Sequence, residues 1–189
     1  MDKVIQAKPD YYKGIRFRSK LESKTAQTLD ILGMPWVYEP HGYMLSNGLW
    51  YKPDFLLPAA KQFIECKGTM SENDSAKIIR LVKDTSCSVL ALSYKNAMLC
   101  VKPEEANEVW TYFSDDALYV GQCYKCNGRF FYSDYGSYEC SCCDYYDGDH
   151  TVYPILQIES ATQLFNGAKQ IAANNPLYKE ISAKFNKEV

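Results

Sequence analysis

Pro53-Asp54-Phe55-Leu56-Leu57-Pro58-Ala59-Ala60-Lys61-Gln62-Phe63-Ile64-Glu65-Cys66-Lys67 decides how this chain of 189 residues is read. Two short apolar runs flank a turn around Pro58-Ala59-Ala60, so the stretch predicts two neighbouring strands, 53–57 and 62–67. Pro53 lacks an amide hydrogen and suits a strand start. Side chains alternate faces along a strand, which puts Glu65 and Lys67 on one face and Ile64 and Cys66 on the other. Adjacent strands then bring the carboxylates of Asp54 and Glu65 together with an ammonium beside them. Such a group suits a divalent cation and the hydrolysis of a phosphodiester, with the lysine placed to orient or activate water. The alternative is a pair of surface carboxylates at strand ends, with Lys67 simply ion-paired to Glu65.

Upstream, Arg18 to Leu32 reads as a helix, with Leu21, Thr25, Leu29 and Leu32 at helical spacing and Gly33 as terminator. Glu22 falls at the edge of its apolar stripe, where a bare carboxylate is costly unless paired or bound to metal. Trp36 to Glu39 reads as a strand, and Tyr43 to Tyr51 as a hairpin turning at Asn47-Gly48. Downstream, Ser71 to Asp84 reads as a helix opened by a capping box, Ser71-Glu72-Asn73-Asp74. Cys87 to Leu92 and Ala97 to Val101 read as strands. Pro103 to Phe113 reads as a helix with Pro at its start.

Pro53-Asp54 followed by Glu65-x-Lys67, with Glu22 on a preceding helix, resembles the motif of the PD-(D/E)xK nuclease superfamily. The likeness covers roughly residues 14 to 101. It implies an α/β fold, a restriction-endonuclease-like mixed sheet flanked by helices. It implies that Asp54, Glu65 and the backbone carbonyl of Cys66 hold Mg²⁺ (or Mn²⁺), that Glu22 completes the site directly or through water, and that Lys67 acts on the attacking water. The activity implied is that of a metal-dependent DNA endonuclease leaving a 5′-phosphate, akin to phage and mobile-element nucleases and Holliday-junction resolvases. Such enzymes often pair to cut two strands, so a homodimer is expected.

The formal net charge is −2 and the pI about 5.7, which excludes a general nucleic-acid coat protein. Charge is unevenly spread. Lys13, Arg16, Arg18, Lys20 and Lys24 face a single acid, Glu22, whereas Asp134, Glu139, Asp144, Asp147 and Asp149 lie in a stretch without Lys or Arg. Arg16 and Arg18 are candidate backbone clamps for DNA and Lys77 a candidate phosphate contact; each has a solvated surface role as its alternative. His41 reads as a surface histidine in a turn. Cys66, Cys87 and Cys100 read as buried apolar residues.

The second motif lies in the segment rich in Tyr and Cys that runs from Tyr119 to Tyr153. Cys123-x-x-Cys126 and Cys140-x-x-Cys143 have the spacing of a zinc ribbon, with Cys142 surplus and Asn127-Gly128 as the knuckle turn. A four-thiol Zn²⁺ site has no open position, so the expected role is structural. Tyr124, Phe130, Phe131 and Tyr132 either stack on bases or form the ribbon's own core; the acidic surroundings also admit a protein partner. Ser160 to Ala173 reads as a helix and Pro176 to Phe185 as a shorter one.

Three parts are expected: a nuclease-like core over 1–116, a zinc ribbon over 117–155 and a helical tail over 156–189. With 47% hydrophobic residues the chain supports a real core. No apolar stretch approaches a membrane span and no signal-peptide pattern opens the sequence, so a cytoplasmic protein of a bacterial or phage-infected cell is expected, with DNA and no membrane as partner. The competing class is a non-catalytic adaptor or anti-defence protein that uses the nuclease fold as scaffold and binds a partner through the ribbon. A zinc-ribbon transcription factor is a third.

Overall fold

A computed structural model describes residues 8–102, 107–113, 118–134, 139–148 and 150–174. The elements are β1 (Asp10–Tyr12), β2 (Ile15–Phe17), α1 (Lys20–Ile31), β3 (Val37–Tyr38), β4 (Tyr43–Met44), β5 (Trp50–Tyr51), β6 (Phe55–Leu57), β7 (Gln62–Cys66), α2 (Glu72–Thr85), β8 (Ser88–Leu92), β9 (Ala97–Val101), β10 (Trp110–Phe113), β11 (Leu118–Cys123), β12 (Arg129–Ser133), β13 (Val152–Ile158) and α3 (Ala161–Asn174). A mixed six-stranded sheet has the order β10-β9-β8-β7-β6-β3. Within it only β7 and β8 are parallel, as the α2 crossover between them requires.

The strand β7 is buried on both faces. Ile64 joins the apolar cluster that contains Leu21, Ala26 and Leu29 of α1, and Phe63 joins the one that contains Ile78, Leu81 and Val82 of α2. The sheet is therefore a middle layer with α1 on one side and α2 on the other. Each large side chain buried this way stabilises the fold by roughly 1.5–3 kcal/mol. The ends of both helices are fixed locally. Ser19 caps α1, accepting from the Glu22 amide, and Ser71 and Asp74 close the full capping box on α2.

A three-stranded antiparallel sheet, β12-β11-β13, has Cys123 at the end of β11, with Cys126 in the turn after β11 and Cys140 and Cys143 between β12 and β13. It is fastened to the six-stranded sheet by a buried side chain. The Gln62 amide donates to the Phe131 carbonyl at 2.7 Å, and the Phe131 amide donates back to Gln62 Oε1 at 2.9 Å. Phe130 and Phe131 share one apolar cluster with Leu29, Leu32 and Met34, and α3 packs against α1. One core thus runs from Phe17 through the ribbon sheet to Ala168.

The part of the helix expected over Pro103–Phe113 that is described, residues 107–113, is not helical. Trp110-Thr111-Tyr112-Phe113 is a strand paired antiparallel with β9. Its aromatic and β-branched residues suit a pleated surface, and pairing outweighs the helix-start signal of Pro103. Residues 103–106 lie outside the described set, as do those of the short helix expected over Pro176–Phe185. The hairpin of β1 and β2 was not foreseen. Among the described residues no helix is long and apolar enough to cross a membrane.

Candidate active site and thiol cluster

Glu22, Asp54 and Glu65 are 5%, 3% and 3% exposed, an unusual depth for three carboxylates. Asp54 precedes β6 and Glu65 lies near the end of β7, so the pairing of these strands brings them together. Their backbones lock the arrangement: the Cys66 amide donates to Asp54 Oδ2 at 2.7 Å, and the Asp54 amide faces Glu65 Oε2 at 3.4 Å. Lys67 extends from the same face as Glu65 and pairs with Glu65 Oε1 at 2.7 Å, with Asp74 of α2 at 4.0 Å. The alternation read from the sequence places this pair as expected.

Glu22 approaches from α1. It accepts from the Arg18 amide at 3.1 Å, from the Ser19 hydroxyl at 2.9 Å and from the Tyr38 phenol at 2.5 Å. The Arg18 guanidinium binds Asp54 directly and Glu39 at 3.1 Å. Four carboxylates, Glu22, Glu39, Asp54 and Glu65, thus share three cations, Arg18, Lys52 and Lys67.

The electrostatics follow from this crowding. Burial, then the Glu65 charge, push the Asp54 carboxyl up to about 7, against the opposing pull of the Cys66 amide and Arg18. Burial works to lower Lys67, but Glu65 outweighs it and holds the ammonium above its ordinary value. Burial, and then the Glu65 carboxylate that its phenol meets, raise Tyr51. Burial and Glu22 do the same to Tyr38. A buried carboxylate that resists ionisation among others is a position that favours an added cation.

Arg16 is exposed on β2, and no ion pair joins it to these carboxylates among the described residues. Lys77 is half-buried on α2, with its charge beside Asp74 rather than the cluster. Tyr38, Glu39, Tyr51 and Lys52 belong to the site but were not singled out from the sequence. Their signal was weak: Tyr51 and Lys52 adjoin Pro53-Asp54, and Tyr38 sits in a strand read only for its apolar character.

The thiols are gathered more tightly. Cys123, Cys126, Cys140 and Cys143 place their sulfurs within 4.8 Å of one another, a set that can hold a metal such as zinc. Among the described residues it is the one group of three or more His, Cys, Asp or Glu so placed. Cys126 and Cys140 sulfurs are 3.7 Å apart, and those of Cys123 and Cys143 4.0 Å. Tetrahedral sulfurs about 2.3 Å from one ion lie about 3.8 Å apart. Amide donors also aim at the sulfurs: Lys125 to Cys123 and Gly128 to Cys126, each at 3.3 Å, and Cys142 to Cys140 at 3.4 Å. Burial opposes a thiolate at Cys123, but its amide donors outweigh this and bring the thiol down to about 7.

Asn127 and Asp144 adopt left-handed backbone just after the two knuckles. A Cβ at Gly128 would meet Cys142 Sγ at 2.7 Å and Cys126 Sγ at 3.0 Å, so only glycine fits there. Cys142 itself lies against this turn, outside the set of four. Phe130, Phe131 and Tyr132 are buried, which assigns them to the core rather than to base stacking; Tyr124 is exposed. Cys100 is buried as expected, whereas Cys66 and Cys87 are half-buried. No protein-family model and no curated protein matches the chain.

Proposed function

We propose that this protein is a metal-dependent DNA endonuclease of the PD-(D/E)xK type, acting through Glu22, Asp54, Glu65 and Lys67. The observation that carries the reading is the packing of Asp54 and Glu65 on adjacent strands, nearly fully buried, with the Lys67 ammonium 2.7 Å from Glu65. Surface carboxylates at strand ends would be solvated; these are held in place by amides, phenols and cations. Asp54, Glu65 and the Cys66 carbonyl, with Glu22, are the oxygen donors that would hold Mg²⁺ or Mn²⁺. A hard cation there supplies Lewis-acid stabilisation and lowers the pKa of water.

The chain's own groups divide the remaining work. Lys67 is held as a cation, so it offers charge to the phosphate as negative charge grows in the transition state. Tyr38 and Tyr51 orient Glu22 and Glu65 through their phenols. Arg18, whose side chain is 60% exposed beyond the carboxylates, is the nearest clamp for a phosphate oxygen. Zinc at the four thiols would leave no open position, so the ribbon supports the fold rather than the reaction.

The test is cleavage of labelled duplex, single-stranded, flapped and four-way-junction DNA with Mg²⁺ or Mn²⁺, comparing wild type with Glu65→Ala and with chelated controls. Metal-dependent cutting that the variant lacks is expected. A folded, zinc-loaded protein that cuts none of these substrates would move the reading to a non-catalytic adaptor.

A further inference from the structure

Beside the carboxylates lies an open groove of about 660 Å³ that hydrolysis itself does not require. Its dominant feature is Trp50, 60% exposed. The indole rests on Gly42 so closely that a Cβ there would come within 2.3 Å of its Cζ2. A large aromatic face is thus presented to solvent while its other side is seated on backbone. Met44, its cross-strand partner in the β4–β5 hairpin, is exposed as well.

The groove is tied to the candidate site by backbone and by charge. Glu39 takes up left-handed backbone at φ 45°, which turns the chain out of β3 into the groove wall, and its amide donates to the Asp54 carbonyl at 2.8 Å. Its carboxylate binds Lys52 at 2.8 Å and Arg18 at 3.1 Å, and Arg18 reaches Asp54. Lys52 in the groove wall and Arg18 beyond it thus lead from Trp50 to the carboxylates, bridged by Glu39, with His41 on the rim and Arg18 paired to Asp54 and Glu22 as well.

We propose that this groove binds an unpaired base of a nucleic-acid strand whose neighbouring phosphate lies at the carboxylate cluster. Trp50 stacks on the base, and Lys52 and Arg18 follow the backbone. The placement of the phosphate rests on the nuclease reading; the binding does not. Exposed aromatics beside cations are the general means of holding single strands. A base paired within a duplex cannot reach Trp50 without leaving its stack, so the favoured substrate class is nucleic acid with unpaired nucleotides: single strands, flaps or junctions.

The test uses full-length protein carrying Glu65→Ala, in Mg²⁺, and the anisotropy of a labelled single-stranded thymidine oligonucleotide. A matched duplex is the second probe. Adding Trp50→Ala is expected to weaken single-strand binding on the order of tenfold. Gly42→Ala, which dislodges the indole, weakens it in the same direction. Trp110→Ala, exposed at the far edge of the six-stranded sheet, leaves it unchanged. Equal binding with and without Trp50, no binding at all, or a duplex held as tightly as the single strand overturns the proposal. So does a dimer in light scattering that Trp50→Ala abolishes, which would assign the face to a second copy. Cleavage by protein with Glu65 intact separates the two readings. Trp50-dependent binding without cutting keeps the groove and removes the nuclease; cutting with Trp50-independent binding does the reverse.

Discussion

The carboxylate cluster and the thiol cluster both gather anionic ligands below the surface, yet they are stabilised in different ways. Around Asp54 the acids are spread among Arg18, Lys52 and Lys67, each cation partly exposed. Around Cys140 the four sulfurs face one another, with amides behind them. On the proposed reading the first arrangement is the one that takes a substrate, and the second is complete once one ion is bound. That reading gives the reaction to the first and a staple to the second.

The largest expected effect follows from the staple. Structural zinc binding in zinc-finger peptides is worth about 10–16 kcal/mol, comparable to a domain's whole stability of about 5–15 kcal/mol. Because Phe130 and Phe131 share a core with α1, Cys140→Ser or chelation of zinc is expected to abolish a single cooperative melting transition, followed by circular dichroism. A variant that melts like wild type would make the ribbon peripheral.

At the other cluster, Lys67→Ala is expected to slow single-turnover cleavage by about 10²–10³-fold, beyond the loss of stability that follows from leaving the buried Glu65 without its ammonium. A rate loss that tracks a stability loss would assign Lys67 a structural role instead. The link between the clusters is weaker than either. Gln62→Ala leaves the Phe131 amide and carbonyl unpaired in the core and is expected to cost about 2–4 kcal/mol in denaturant unfolding. A neutral result would mean that the two sheets do not depend on this bridge.

The smallest effect lies on α2. Ser71→Ala is expected to cost about 1 kcal/mol of stability. Burial works to raise Asp74, but its bonds to Ser71 outweigh this and hold the carboxyl below its ordinary 3.8. The Asp74 part of the box is therefore present above that value and lost as pH falls through the lowered one, an effect kept small by exposure. Unfolding of wild type and Ser71→Ala compared at pH 7 and near pH 3 should show their difference shrinking.

What the sequence made legible was local. The alternation at Glu65-Cys66-Lys67, the capping box at Ser71 and the two CxxC knuckles each depend on spacing within a few residues, and each appears where expected. What it hid depends on distant pairing. Trp110–Phe113 is a strand only because β9 offers an edge. The joining of the ribbon sheet to the six-stranded sheet rests on Gln62 and Phe131, sixty-nine residues apart. Glu39 joins the site through a turn whose left-handed backbone no glycine announced. The groove depends on Gly42 meeting Trp50 across a hairpin.

The decisive measurement adds Mg²⁺ in steps to protein loaded with zinc, recording DNA cleavage and zinc content together for wild type and Glu65→Ala. Cutting that rises with Mg²⁺ at constant zinc, and is missing from Glu65→Ala, is the result expected. Cutting that follows the zinc content, or that persists in Glu65→Ala, would contradict the division between a reactive carboxylate cluster and a structural thiol cluster.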